Sequence, residues 1–178
     1  MILWRNHIYD IGTLKRMLVV GAVFLVLLIF LQQVSGSEPI AIEHPFHNPA
    51  KYTDHARCDN CGMDRNQYAR TRYEFITAKG RSYTCSLACL AGLSLKLKME
   101  PRDVKAADYL HPQKMLAADK AFYVIGSKAP GTMTGVSKIA LSDKKGAVAF
   151  AAQYGGRVIR FKEALAAARK ELSGEEGQ

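Results

Sequence analysis

The chain has 178 residues and a mass of 19.7 kDa, which is enough for one ordinary domain or two small units that share a core. Hydrophobic residues make up 48% and charged residues 23%, a globular composition that excludes wholesale disorder. Four cysteines are too few for a disulfide scaffold. The net charge of +9 contains no long run of like charges, which favours a solvated basic surface over a nucleic-acid partner.

The N-terminal region combines two basic residues with a strongly apolar segment. Met17–Leu31 contains no charge and no proline, and Lys15 and Arg16 precede it directly. As a helix it would measure about 22 Å, which is shorter than the roughly 30 Å core of a bilayer and typical of a signal peptide. Small residues over 34–37 suit a cleavage site. We therefore predict that residues 1–36 are a signal peptide or, if uncleaved, a membrane anchor.

The position of the basic residues also predicts where the rest of the chain lies. Because they precede the apolar segment, the remainder is expected in the periplasm or on the outer face of the cytoplasmic membrane. Residues 37–56 are predicted to form a tether, because prolines break any regular element there. We interpret the three histidines of this tether as solvated residues rather than auxiliary metal ligands: His44, His47 and His55.

Two stretches after the tether have the same predicted element order. The first unit, residues 57–110, is predicted to contain a strand over 72–77, a return strand over 81–84, a helix over 87–98 capped by Ser86, and an extended stretch over 104–110. The second unit, residues 111–172, is predicted to contain strands over 121–125, 137–141 and 157–161, a helix capped by Ser142, and a last helix.

Apolar residues predict the buried faces of the second unit's helices. The residues predicted to face inward from the first of these helices are Ala147, Phe150, Ala151 and Tyr154. Those predicted to face inward from the last helix are Leu165, Ala168 and Leu172. Residues 173–178 are expected to be a frayed tail. The predicted fold class is therefore α+β, with two small similar ββαβ units behind an N-terminal apolar segment.

Four cysteines form the clearest chemical pattern. Cys58 and Cys61 make a Cys-x-x-Cys motif, and Cys85 and Cys89 lie one turn apart at the start of the predicted helix. Four converging sulfurs suit a structural zinc site, one or two disulfides in an oxidising compartment, or a Cu(I) site. Met63 adds a thioether close to Cys61, and thioether with thiolate selects Cu(I). Spacing alone leaves the three alternatives open.

A second methionine shifts the balance towards copper. Met133 lies in the polar, glycine-rich segment 129–135, which we call the Met133 loop. A core methionine usually belongs to an apolar period, and this one does not. A thiol oxidoreductase is less well supported, because its motif follows a strand and no strand pattern precedes Cys58. We therefore predict a metal-binding protein rather than an enzyme.

Several of these segments together resemble the NosL family. The resemblance lies in Cys58–Met63, in the run from Met133 to Leu141, in Ala149–Ala151, and in Tyr154–Val158. Proteins of this family are exported, copper-binding accessory proteins of nitrous oxide reductase assembly. Their fold is two similar ββαβ units, related to that of alkylmercury lyase, which agrees with the element order above.

The resemblance implies a ligand set and a role. By it, Cys61, Met63 and Met133 are Cu(I) ligands, and the protein is a monomeric copper chaperone for a client enzyme or membrane transporter complex. Many family members are lipoproteins, whereas here no lipobox cysteine lies directly after the apolar segment. The segment around Cys85 and Cys89 also resembles TRASH-type cysteine modules. The six candidate metal ligands are therefore Cys58, Cys61, Met63, Cys85, Cys89 and Met133, with zinc as the alternative ion.

Overall fold

The computed structural model describes residues 16, 18–26 and 51–174. Residues 18–26 are helical, and their apolar side chains are exposed. Within the described residues, no helix has both the length and the hydropathy needed to cross a bilayer. This segment belongs to a different part of the chain from the compact unit that contains residues 51–174. The predicted cleavage site, His44 and His47 lie outside the described residues.

The first sheet has four antiparallel strands in the order β2-β1-β3-β4. Its elements, preceded by a 3-10 turn at Ala69–Thr71, are β1 Tyr73–Thr77, β2 Gly80–Thr84, helix α1 Leu87–Lys96, β3 Arg102–Ala107 and β4 Met115–Ala117. Alternate residues of β1 are buried, as the sequence pattern predicts for a strand with one face on the core.

The second sheet has three antiparallel strands in the order β6-β5-β7. Its elements are β5 Phe122–Ile125, β6 Lys138–Leu141, helix α2 Lys144–Tyr154, β7 Arg157–Ile159 and helix α3 Phe161–Ser173. In both sheets the first strand lies between the second and the third, and a helix follows the second. The α+β class and the repeated ββαβ order are therefore confirmed.

Four local predictions differ from the structure. The strand predicted over 157–161 is shorter, because β7 ends at Ile159 and α3 begins at Phe161. β4 was not predicted, because three residues are too few to show a period, and its pairing with β3 extends the first sheet past the predicted boundary at Leu110. Asp143, not Ser142, caps α2, since its carboxylate accepts a hydrogen bond from the Gly146 N–H. Leu172 is 49% exposed rather than buried, because it lies in the last turn of α3.

One hydrophobic core joins the two sheets. Its larger members come from β1, α1, β5, β7 and α3, and include Tyr73, Phe75, Leu90, Tyr123, Ile159 and Leu165. A second cluster, which includes Val124, Ile139 and Phe150, lies under α2. The shared core holds the loops before β1, between β2 and α1, and between β5 and β6 on a common frame.

Candidate metal centre

The four cysteine sulfurs come together, as their spacing predicts. All four Sγ atoms lie within 4.8 Å of one another, with 3.5 Å from Cys61 to Cys85 and 3.6 Å from Cys85 to Cys89. A disulfide bond is about 2.05 Å long, and the four cysteines are free thiols here. Four thiolates about 2.3 Å from a tetrahedral ion would lie about 3.8 Å apart. The cluster therefore has the size of a site for one thiophilic ion.

A tight turn presents the first two cysteines. In the segment 58–63, which we call the knuckle, the Cys58 N–H donates to the Met63 carbonyl and the Gly62 N–H donates to the Cys58 carbonyl. Gly62 has a φ of +76°, a conformation that residues with a Cβ rarely adopt. Asp59 fixes the knuckle against β2, because its N–H and its carboxylate both bind the backbone of Tyr83.

The start of helix α1 presents the other two cysteines, with Cys85 just before the N-cap Ser86 and Cys89 in the first turn, and the helix also supports the knuckle. The Ser86 hydroxyl accepts the Cys89 N–H at 3.1 Å, which confirms the predicted cap and places Cys89 in the first turn. On the next turns, Lys96 Nζ donates to Asn60 Oδ1 at 2.8 Å. A Cβ on Gly92 would lie 3.3 Å from Asn60 Nδ2, so the glycine permits the knuckle to approach α1 closely.

The cysteine cluster is accessible to solvent from one side. Cys58, Cys85 and Cys89 are 3%, 0% and 2% exposed, whereas Cys61 is open to solvent. Met63 packs against the cluster from the knuckle side. An ion or a partner's ligand would therefore reach the sulfurs past Cys61.

The thiols do not share their protons equally. Hydrogen bonds from the Cys85 and Cys89 thiols lower the pKa of Cys58 well below its usual value. Donation to Cys58 in turn raises the pKa of Cys85 far above its usual range, and raises that of Cys89 to about 11. The direction of these shifts favours the thiolate, and so the negative charge, at Cys58 rather than at the other two buried thiols.

A buried arginine lies next to this negative charge. Arg65 is fully buried, and its guanidinium donates to the carbonyl oxygens of Thr84, Tyr73 and His55. Burial lowers the pKa of Arg65, and the negative charges of Glu74, Asp59 and Cys58 oppose this effect. Sequence reasoning missed Arg65, because a single arginine between polar residues looks like a surface residue.

The two candidate methionine ligands differ in how deeply they are buried. Met63 is half-buried beside the sulfurs, whereas Met133 is 55% exposed and has a φ of +55°. The Met133 loop is nevertheless linked to the cluster. Thr71 Oγ1 lies 2.7 Å from Thr132 Oγ1 and 2.8 Å from the carbonyl oxygen of Cys85. The ligand role of Met133 stays a prediction.

The described end of the predicted tether packs against the first unit. His55 is exposed, and its ring stacks on Tyr83 at 3.7 Å between centroids. The backbone N–H groups of Tyr52 and Thr53 both donate to the Asn66 side chain. Within the described residues, the cluster of potential metal ligands consists of the four cysteines and contains no histidine.

Comparison with known proteins places this arrangement in a family. A family model for NosL matches residues 49–168. The chain belongs to the NosL family. This confirms the resemblance inferred from Cys58–Met63 and from the segments between Met133 and Val158.

Two NosL proteins illustrate the similarity. The copper-binding lipoprotein NosL of Stutzerimonas stutzeri is 28% identical over 126 residues, which are 65% of this chain and 65% of that protein. The matched region thus spans slightly less than two thirds of the relative. The crystal structure of the copper chaperone NosL from Shewanella denitrificans has a TM-score of 0.51 and 25% identity, and the match covers 65% of this chain and 94% of that one.

Proposed function

We propose that this protein is an exported copper chaperone that holds Cu(I) at the four-cysteine cluster and passes it to a client. The observation that carries the proposal is the convergence of four sulfurs within 4.8 Å. Thiolate and thioether ligands favour Cu(I) over harder ions. The two NosL relatives, one described as copper-binding and the other as a copper chaperone, support copper as the ion.

The geometry suggests how the ion enters and leaves. Cys58, with its lowered pKa, supplies a thiolate, and the exposed Cys61 is the first sulfur that an incoming ion meets. Met63, and Met133 from its loop, then add neutral thioethers. A thioether leaves more readily than a thiolate when a client's ligand arrives. Transfer by stepwise ligand exchange therefore begins at the open side, and no covalent catalysis is needed.

The family and the N-terminal sequence support a proposed setting and a proposed client. We propose that the chain works in the periplasm or on the outer face of the cytoplasmic membrane, delivered by its N-terminal signal or anchor. Nitrous oxide reductase, or a transporter complex that serves it, is the proposed client. The basic surface of the soluble part suits contact with an acidic partner.

Zinc is the second candidate for the ion. Three of the four sulfurs are buried at spacings near those of a tetrahedral four-thiolate site, and structural zinc sites have this closed form. In that case the first unit would be a zinc-stabilised module that recruits a partner.

Competition titrations separate the two functions. Reduced full-length protein is titrated anaerobically with Cu(I) against a Cu(I)-specific chelator, and separately with Zn(II) against a zinc indicator. We expect one tightly bound Cu(I), which Cys85→Ser abolishes because the Cys85 sulfur lies within 3.6 Å of those of Cys61 and Cys89. Met63→Leu should weaken binding at least tenfold, or about 1.4 kcal/mol. Met115→Leu, on β4, is the matched control and should bind as wild type does. Tight zinc binding without Cu(I) affinity would overturn the proposal.

A further inference from the structure

One carboxylate at the end of α3 holds the Met133 loop by hydrogen bonds. Glu171 accepts hydrogen bonds from the Gly135 N–H, from the Thr134 hydroxyl at 2.6 Å, and from Lys138 Nζ. The Lys138 side chain is only 3% exposed, and its Nζ also donates to Thr134 Oγ1 and to the Val136 carbonyl. The residues that follow Met133 are therefore fixed to α3 by a partly buried ion pair.

The same helix turn lies near the knuckle. A Cβ on Gly92 would lie 3.8 Å from Leu172 Cδ1 and 3.3 Å from Asn60 Nδ2, so the end of α3 and the knuckle both approach α1 at Gly92. On the other side of Met133, Thr132 is buried and contacts Thr71, whose hydroxyl reaches the Cys85 carbonyl. Thr132, before Met133, is thus connected to Cys85 through Thr71, and Thr134 and Gly135, after it, are bonded to α3, which packs on α1.

Packing does not account for this arrangement. Met133 is held in the left-handed region, which is unfavourable for a residue with a Cβ, yet more than half of its side chain is exposed. A strained backbone with an exposed apolar side chain persists only where its surroundings impose it. The hydrogen bonds to Thr132, Thr134 and Gly135 impose it here.

We infer that Glu171 is a positioning residue, which holds the Met133 loop so that its thioether is presented to an ion at the cysteine cluster. This inference rests on the proposed copper function. A fixed loop loses less conformational freedom when its side chain binds, so the carboxylate raises copper affinity without touching the ion. Lys138 contributes by keeping Glu171 ionised and in place.

A double-mutant cycle in the full-length protein tests the inference. Cu(I) affinity is measured by chelator competition for wild type, Glu171→Gln, Met133→Leu and the double variant. The glutamine amide keeps one acceptor oxygen but has no negative charge and no second acceptor oxygen, so the ion pair with Lys138 is lost and the hold on the loop is weakened. We expect about threefold to tenfold weaker binding for Glu171→Gln alone, and no further loss when it is added to Met133→Leu. Thr134→Val, which removes one donor to Glu171, should act in the same direction.

Controls and outcomes distinguish this inference from the function on which it rests. Glu100→Gln removes a different ion pair of α3, with Arg169, and should leave Cu(I) affinity unchanged. If Glu171→Gln weakens binding equally with and without Met133, its role is merely structural and the inference is wrong. It is also wrong if wild type binds Cu(I) and Met133→Leu does not weaken binding, while the proposed function stands. If wild type does not bind Cu(I), both fail.

Discussion

Replacing Arg65 with methionine tests whether this buried cation holds the knuckle region together. The guanidinium bonds the carbonyl oxygens of Thr84, Tyr73 and His55, at 3.2 Å for the first two, and it also contacts the Thr53 hydroxyl. A buried acceptor left without a partner costs about 1–3 kcal/mol. With three carbonyls at the lower end of that range, Arg65→Met should reduce the free energy of unfolding by about 3 kcal/mol.

The assay is urea denaturation of the reduced, metal-free protein. The midpoint should fall without a change in slope, which would show that stability rather than compactness has changed. Arg102→Met, an exposed arginine on β3, is the control and should alter stability by no more than about 0.5 kcal/mol. A loss below about 1 kcal/mol for Arg65→Met would refute the argument, because water would then be satisfying the three carbonyls.

Two further predictions concern backbone and charge. Gly155→Ala and Gly156→Ala both place a Cβ at positive φ, but only at Gly156 would that Cβ meet backbone, 2.6 Å from the Ile125 carbonyl oxygen. Thermal melts should therefore show a larger loss for Gly156→Ala, and equal losses would contradict this reading. Burial opposes ionisation of Glu171, but hydrogen bonds led by that from Lys138 outweigh it and lower its pKa below the usual 4.5. This stabilisation is present above pH 4.5 and disappears as pH falls through the lowered pKa. The melting temperature of Glu171→Gln should therefore lie below that of wild type above pH 4.5, and the difference should shrink at lower pH. A difference that does not change with pH would contradict this prediction.

The elements that sequence predicts well are those whose pattern is local. The alternation of Tyr73, Phe75 and Thr77 predicts β1, because one face of that strand is buried. The closeness of Cys85 and Cys89 is also local in origin, since Cys85 directly precedes the N-cap Ser86 and Cys89 lies in the first turn of the helix. The sequence therefore predicted both the repeated ββαβ order and the convergence of the four cysteine sulfurs.

The parts that sequence does not predict depend on contacts between distant segments. Arg65 becomes buried only because the chain around His55 returns over it, and no periodicity marks such a contact. Glu171 meets Gly135 across 36 positions of sequence, and on α3 it looks like a solvated charge. The supporting residues of the site are thus defined by tertiary packing rather than by motif.

X-ray absorption at the copper edge, on full-length protein loaded anaerobically with one Cu(I), tests the central claim most directly. Sulfur-only coordination is predicted, lost when all four cysteines are replaced by serine, because their Sγ atoms are the ones that converge. Met63→Leu should keep the sulfur coordination but with fewer scatterers. Copper bound mainly through nitrogen or oxygen, or a spectrum unchanged by the four serine substitutions, would contradict the account.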